Sequence, residues 1–407
     1  MPQKPVPQFH TNHFELITTE AGVAGLAQRI QDQPLVAFDL EADSLHHYQP
    51  KVCLLQIGAP GITAVIDPLA VPDLSPLAPI FGNPAIRKIS HGADYDVRML
   101  KLDFGIEIRN LFDTMIACQF LGEPEVGLAS MLFSRYGTEL DKRYQKADWS
   151  KRPLPPEMLH YAAQDCRFLI PLYQALSAEL AALGRLDWVE EESDWVAQAE
   201  PDQRDEGPLF VRFKGYGKMD RRSLAILEAL LVFRDNAARQ RDCPAFKIIS
   251  NAAISELVEK RPTTDAEFGP LASLPPSLAQ RYGRQILQSI HRALELPENR
   301  LPERPRGKPY ERSPLKAVLM PDLRAWREER SAALDIHPGR LINNSILETI
   351  AEQGITDVEA LASVPLMRPW QRRVLGPEIT ALIQDRLRAL EPNHSNEAAT
   401  KGKAPAR

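Results

Sequence analysis

Three short strings hold residues with the types and spacing for metal-assisted hydrolysis. In AFDLEAD, residues 37–43, Asp39 and Glu41 lie two apart in a run that otherwise reads as a buried strand led by Leu35 and Val36. Residues i and i+2 of a strand share a face, so these carboxylates repel each other and call for a compensating cation. HGADYD puts Asp94 and Asp96 in the turn and first helical residues after another strand, and YAAQD puts Tyr161 and Asp165 at i and i+4 on one helix face. Four carboxylates and a phenol can therefore meet at one edge of a sheet. Two divalent ions about 4 Å apart would neutralise such a cluster and clamp the attacking and leaving oxygens of a phosphodiester. Oxygen-only ligands favour magnesium or manganese over zinc, because no cysteine or histidine cluster competes. On this reading Asp39, Glu41 and Asp165 hold one ion, Asp39 with Asp96 reaches the second, and Tyr161 orients or helps deprotonate the attacking water. Spacing alone leaves plainer readings open: a surface strand-end carboxylate at Asp39, a helix N-terminal one at Asp96, a packed aromatic at Tyr161.

The elements that must position these residues alternate between strand and helix. A strand at 14–17 precedes a helix over 20–30 with apolar spacing at Val23, Leu26 and Ile30, then the strand 35–40. A second strand is expected over 47–57 and a third over 61–67, joined by a hairpin turn at Ala59-Pro60-Gly61. A helix over 74–81, a short strand 87–90, a helix beginning near Gly92 and a helix over 111–121 follow. Residues 157–183 read as one long helix, bent at Pro171. The sheet is mixed, and with no Gly-x-Gly-x-x-Gly or Walker loop no nucleotide cofactor is expected.

Beyond about 207 the pattern is helical and repeats itself. Residues 233–259 lie over 326–352 at a constant offset of 93, and LASLP at 271 matches LASVP at 361. Two copies of one small helical module explain this, with Phe233 and Trp326 at equivalent core positions. The resulting division is 1–207, 208–298, a Pro- and charge-rich linker 299–314, a second module 315–390 in which His337-Pro338-Gly339 replaces Pro244-Ala245-Phe246, and a disordered tail 391–407.

With 407 residues and 44% hydrophobic content the chain is expected to be a soluble multidomain protein; it lacks an apolar run long enough to span a membrane and a signal peptide, and reads as cytoplasmic. Cys53, Cys118, Cys166 and Cys243 have no ligand spacing and read as small buried side chains. Net charge is −5, which does not advertise nucleic acid, but 211–250 carries nine Lys or Arg against four acidic residues. Arg221, Arg222 and Lys247 in that run are candidate backbone contacts.

Taken together, FDLEAD, HHYQPKVCLLQIG, HGADYD, LFDT, DWSKRPLP and YAAQD resemble the ribonuclease D family of 3'-to-5' exonucleases, the tyrosine form of the Asp-Glu-Asp-Asp superfamily, over residues 35 to about 175. The resemblance implies a ribonuclease H-like α/β domain, with Asp39, Glu41, Asp96 and Asp165 as ligands of two Mg2+ or Mn2+ ions and Tyr161 as the water-positioning tyrosine. It selects Asp96 over Asp94, since the family's aspartate stands five positions after the histidine of this motif. The repeated module resembles the helicase-and-RNase-D C-terminal (HRDC) domain, an auxiliary nucleic-acid-binding element. The implied enzyme is a monomeric exoribonuclease that releases nucleoside 5'-monophosphates and matures the 3' ends of tRNA precursors and other small stable RNAs. Around that chemistry, His91 is expected to face the terminal nucleotide, Leu40 and Leu54 to wedge against the last base, and Trp149, Lys151 and Arg152 to stack on or bind the strand. Two rival readings remain: a DNA 3'-to-5' exonuclease on the same fold, and a non-catalytic RNA-binding protein.

Overall fold

The computed structural model describes residues 13–201, 207–269, 271–305 and 313–400, with side chains described as far as 390. Strand β1 (Glu15–Ile17) leads into helix α1 (Glu20–Ile30), whose first turn is capped by the Thr19 hydroxyl accepting from the Gly22 N–H. Strands β2 (Leu35–Ala42), β3 (Val52–Ala59) and β4 (Ile62–Ile66) form an antiparallel meander. The expected turn at Pro60-Gly61 joins β3 to β4, with Gly61 at φ 75°. After the short helix α2 (Ala78–Phe81) come β5 (Arg87–Ser90), α3 (Asp94–Phe104) and β6 (Leu111–Asp113). The six strands run in the order β1-β4-β3-β2-β5-β6; β1/β4, β2/β5 and β5/β6 are parallel, which makes the sheet mixed as expected.

The pleat of β2 sorts its side chains. Val36, Phe38 and Leu40 enter the core shared with α1 and α3, while Ala37, Asp39 and Glu41 face the opposite side. That side is covered by α6 (Pro156–Arg167) and α7 (Leu169–Ala182). Between β6 and α6 lie α4 (Thr114–Phe120) and α5 (Leu128–Tyr136), and α8 (Leu186–Ala197) closes the domain.

Four expectations about elements need correction. Residues 47–51 are loop, not strand: Pro50 has no N–H for a ladder, and the Asp43 carboxylate takes the Lys51 N–H at 2.7 Å. The run 74–81 is a 3-10 turn, Ser75–Leu77, followed by α2. The helix expected over 111–121 is the strand β6 followed by α4, because Asp113 leaves the helix and caps it, accepting from the Met115 and Ile116 N–H groups. The helix expected over 157–183 is two, broken at Phe168; Pro171 has no N–H to donate to the Arg167 carbonyl and its ring crowds it, so the break falls before the proline.

The C-terminal part is helical. The first module holds α9 (Arg221–Gln240), α10 (Asn251–Lys260) and α11 (Pro276–Leu294) around Leu227, Leu230, Ile254, Leu257 and Ile286. The second holds α12 (Pro314–Leu334), α13 (Pro338–Leu341), α14 (Asn344–Gln353) and α15 (Pro369–Thr400). Phe233 and Trp326 are half-buried against their cores. Helix α15 runs into the tail segment 391–407, which otherwise lies outside the described residues, as does 306–312 of the expected linker. Leu301, at the start of that linker, is buried in the core of the first module. The four cysteines are free, three buried and Cys243 half-buried. Among the described residues no helix is long and apolar enough to cross a membrane.

Candidate active site

Three elements converge on the acidic site. Strand β2 contributes Asp39 and Glu41, and α6 brings Asp165 across the sheet. Gly58 of β3 lets α6 descend this far: a Cβ there would lie 3.1 Å from the Cys166 carbonyl oxygen and 3.4 Å from the Ala37 Cβ. One carboxylate oxygen each from Asp39, Glu41 and Asp165 lies within 4.8 Å of the others. Helix α3 brings Asp96, 7% exposed, to the same place outside that trio, where its Oδ2 is 3.4 Å from the Ser90 hydroxyl. Asp94 turns away into an exposed bidentate pair with Arg98, so the structure brings Asp96 and not Asp94 to the cluster.

Asp113 holds this corner together and was not singled out as functional from the sequence. Its carboxylate accepts from the Gly92 and Ala93 N–H groups, at 2.9 and 2.8 Å, as well as from the first turn of α4. The turn that aims α3 is thereby pinned to β6. Gly92 sits in that turn at φ 80°, a conformation that disfavours side chains. The available signal was Asp-Thr before an apolar run, a helix-start pattern hidden inside a run read as continuous helix.

The electrostatics identify what the site lacks. Burial pushes Asp39 up to about 7, and burial together with the charges of Asp39, Asp165 and Asp96 pushes Glu41 up to about 10. Asp96 and Asp165 are also raised well above the carboxylate range, by burial first and then by Asp39. None of the groups that set these shifts is a lysine or arginine. A set of close, hard oxygen donors short of positive charge fits a divalent cation. The Tyr161 hydroxyl is raised as well, by burial and then by Asp165, Glu41 and Asp39, so it keeps its proton. Tyr144 packs edge-on against its ring at 5.7 Å, and Trp149 lies tilted against it at 5.9 Å.

A pocket of about 270 Å³ opens onto Asp39, Tyr161 and Asp165, and His91, Leu140, Asp141, Lys142 and Gln145 also line it. His91 is fixed by a 2.9 Å bond between Nδ1 and the Thr114 hydroxyl, and burial lowers its pKa. Lys142 and Gln145 escaped the sequence reading because 137–147 is a loop with no pattern of its own.

Most of the other expected substrate contacts are employed elsewhere. Leu40 is core on the far face of β2, and Leu54 is fully buried beneath α6, so neither can wedge against a base. Trp149 is 1% exposed and packs behind Tyr161. Arg152 is spent on Asp67, bidentate at 2.6 and 2.7 Å, and on the carbonyls of Cys53, Trp149 and Lys151. Arg222 takes the carbonyls of Ala293 and Leu294 at the end of α11 and of Leu296 just beyond it, and Arg221 that of Leu301. Lys247 and Lys151 remain exposed, Lys151 at 3.7 Å from Asp148.

Both modules pack on the nuclease domain. Tyr48, in the loop after β2, donates its hydroxyl to Asp235 at 2.7 Å, and Asp242 accepts from His47 and the Tyr48 N–H. In the second module Trp370 is fully buried, stacked on Trp188 of α8 at 4.7 Å and edge-on to Phe120 of α4. Its two N–H groups donate to Glu191 and Glu192.

Comparison with known proteins agrees with this geometry. Residues 14–181 match the 3'-5' exonuclease family, and 223–290 and 316–383 each match the HRDC domain. A ribonuclease D of Acidiphilium cryptum is 31% identical over 387 residues, 93% of this chain and 95% of that protein. The chain belongs to the ribonuclease D family. Among solved structures it is similar to Escherichia coli RNase D, described as an exoribonuclease involved in structured RNA processing, at 25% identity and a TM-score of 0.69 over 92% of this chain and 99% of that one. The catalytic core of RRP6 from Trypanosoma brucei is 30% identical, with a TM-score of 0.60 over 72% of this chain and 84% of that one. This chain is therefore a ribonuclease H-like exonuclease domain followed by two HRDC domains.

Proposed function

We propose that this 3'-to-5' exoribonuclease of the ribonuclease D family binds two divalent ions, magnesium or manganese, on Asp39, Glu41, Asp96 and Asp165, and releases nucleoside 5'-monophosphates one at a time from RNA 3' ends. The reading extends to tRNA precursors and other small stable RNAs as substrates, and to a monomeric, cytoplasmic enzyme. The observation that carries it is the trio of carboxylate oxygens within 4.8 Å, raised by burial and mutual repulsion. When bound, the ions supply charge neutralisation at the scissile phosphate and acidify the attacking water. The residues of the chain do the positioning. Tyr161, protonated and braced by Tyr144 and Trp149, orients the water through its hydroxyl and is not itself the base. His91, held by Thr114, stands on the wall where the terminal nucleotide enters, and Lys142 and Gln145 line the same pocket. Lys151 and Lys247 are left as exposed cations for the phosphate backbone.

A product time course on a 3'-extended tRNA precursor and its DNA counterpart, with Mg2+, Mn2+ or chelator and with Asp165→Ala as control, tests this. The expected result is a metal-dependent ladder shortening from the RNA 3' end and absent in the variant. Equal shortening of DNA would move the substrate to the rival class, and a chelator-resistant ladder would remove the metals.

A further inference from the structure

Gln56 sits in the middle of β3, fully buried, and among the described residues neither its amide nitrogen nor its amide oxygen has a hydrogen-bond partner. Its place in the sheet makes this informative. In the β2/β3 ladder Gln56 stands directly opposite Asp39, and in the β3/β4 ladder opposite Val65. Directly paired residues point to the same face with Cβ atoms about 5 Å apart. The Gln56 side chain therefore lies on the acidic face, between a carboxylate on one side and a valine on the other. Helix α6 roofs it: the Cys166 thiol donates to the Gln56 main-chain carbonyl at 3.5 Å, one residue from Asp165. A buried amide with nothing to bond is costly, and native structures rarely keep one without a use for it.

We infer that Gln56 is a positioning residue for Asp39: its side-chain N–H donates to the Asp39 carboxylate when the cluster holds an ion, holding the plane in which that carboxylate faces the rest of the acidic cluster. The ladder supports this assignment. Of the two residues flanking Gln56 across the strands, only Asp39 has a hydrogen-bond acceptor in its side chain, and a glutamine amide extends far enough from its Cβ to reach a carboxylate on the neighbouring strand. A carboxylate that holds an ion is an acceptor only, so the fit is between an amide donor without an acceptor and a carboxylate directly across the ladder. Partners of this kind, behind the residues that hold an ion, set their orientation and the strength of binding. The inference rests on the proposed metal site and assigns a residue behind it.

The test is Gln56→Met in the full chain, which keeps the length and shape of the side chain and removes the amide. Mn2+ is titrated calorimetrically into wild type and variant, both are melted in chelator, and kcat and KM are measured on a single-stranded RNA. The expected result is Mn2+ affinity lowered about 10- to 100-fold, kcat lowered with KM held, and a melting temperature in chelator no lower than that of the wild type, since two orphaned polar atoms leave the core. Wild-type Mn2+ affinity and kcat in the variant would overturn the inference. So would a lower melting temperature with Mn2+ affinity intact, the pattern of an amide that serves only packing. A wild type that takes up no Mn2+ would instead remove the metal reading itself, and this inference with it. If the Met variant does not fold, Gln56→Leu is read by the same measurements.

Discussion

At the residue scale the acidic site is a place where stability and function oppose each other. Burial raises Asp39, and burial with like charge raises Glu41, Asp96 and Asp165, so the ion-free fold carries an electrostatic load that a cation relieves. Replacing Asp39 by Asn keeps the shape and removes one charge. Cleavage should be lost, while the melting temperature in chelator should rise, by about 2–4 °C for each kcal/mol of repulsion relieved in a domain of this size. Added Mn2+ should stabilise the wild type and not the variant. Calorimetric melts with and without the ion check both halves, and a chelated variant that melts below the wild type would contradict the electrostatic account. Arginines illustrate the converse. Arg152 and Arg222 looked like phosphate contacts because they are cationic and near the right strings. Each instead satisfies main-chain carbonyls, and their loss should be read as loss of fold before loss of substrate.

The elements that deliver the carboxylates are positioned by contacts between segments far apart in sequence. Asp113 is the clearest case, since one side chain starts α4 and also ties down the turn that starts α3. Asp113→Ala strands several buried N–H groups and should cost roughly 2–4 kcal/mol. Because α3 carries Asp96, it should also lower kcat more than KM. Asp113→Asn keeps one acceptor oxygen and should lose less on both counts. Urea midpoints alongside initial rates separate these outcomes, and an Ala variant with wild-type rates would mean that the turn is held by other contacts.

For the whole molecule, the two HRDC domains differ in how they are attached. The second shares one continuous core with α4, α7 and α8 of the nuclease, with Trp370 stacked on Trp188 at its centre. Trp370→Ala should cost about 3–5 kcal/mol, and a chain ending at 313 should expose Trp188 and Phe120 and lose solubility before any change in chemistry can be measured. Expression and melting of the truncated chain decide this. The first domain is joined at the β2–β3 loop by polar contacts and by the Arg239 guanidinium, 5.5 Å from the Tyr48 ring. That contact depends on pH. The Asp242 carboxylate raises His47 above its ordinary 6.5, helped by Asp43 and Asp148. The folded state thus binds the proton more tightly than the unfolded state. The contribution is fully present below 6.5 and is lost as pH rises through the raised value. The melting-temperature gap between wild type and His47→Ala should accordingly be wider at pH 6 than at pH 8; an equal gap at both would mean that the imidazole serves there uncharged.

What the sequence determined by itself is what local strings and a repeat can carry. Asp39 and Glu41 stand out because strand periodicity forces two charges onto one face, Tyr161 and Asp165 because helix periodicity joins them, and the two HRDC domains because an offset of 93 persists without a gap. These signals need no partner elsewhere in the chain. Tertiary structure decided everything that depends on a partner. Trp149, ahead of α6, became a buried brace for Tyr161, and Leu54 a core residue, because the fold lays α6 over β3. Trp370, in the polar stretch RPWQRR, became the anchor of the second HRDC domain because α8 presents Trp188 to it. Gln56 is one apolar-run glutamine in sequence, and only strand register sets it beside Asp39. The physical reason is common to all of these. A side chain's period along its own element is written locally, whereas its burial and its hydrogen-bond partners are set by the residues that the fold brings against it.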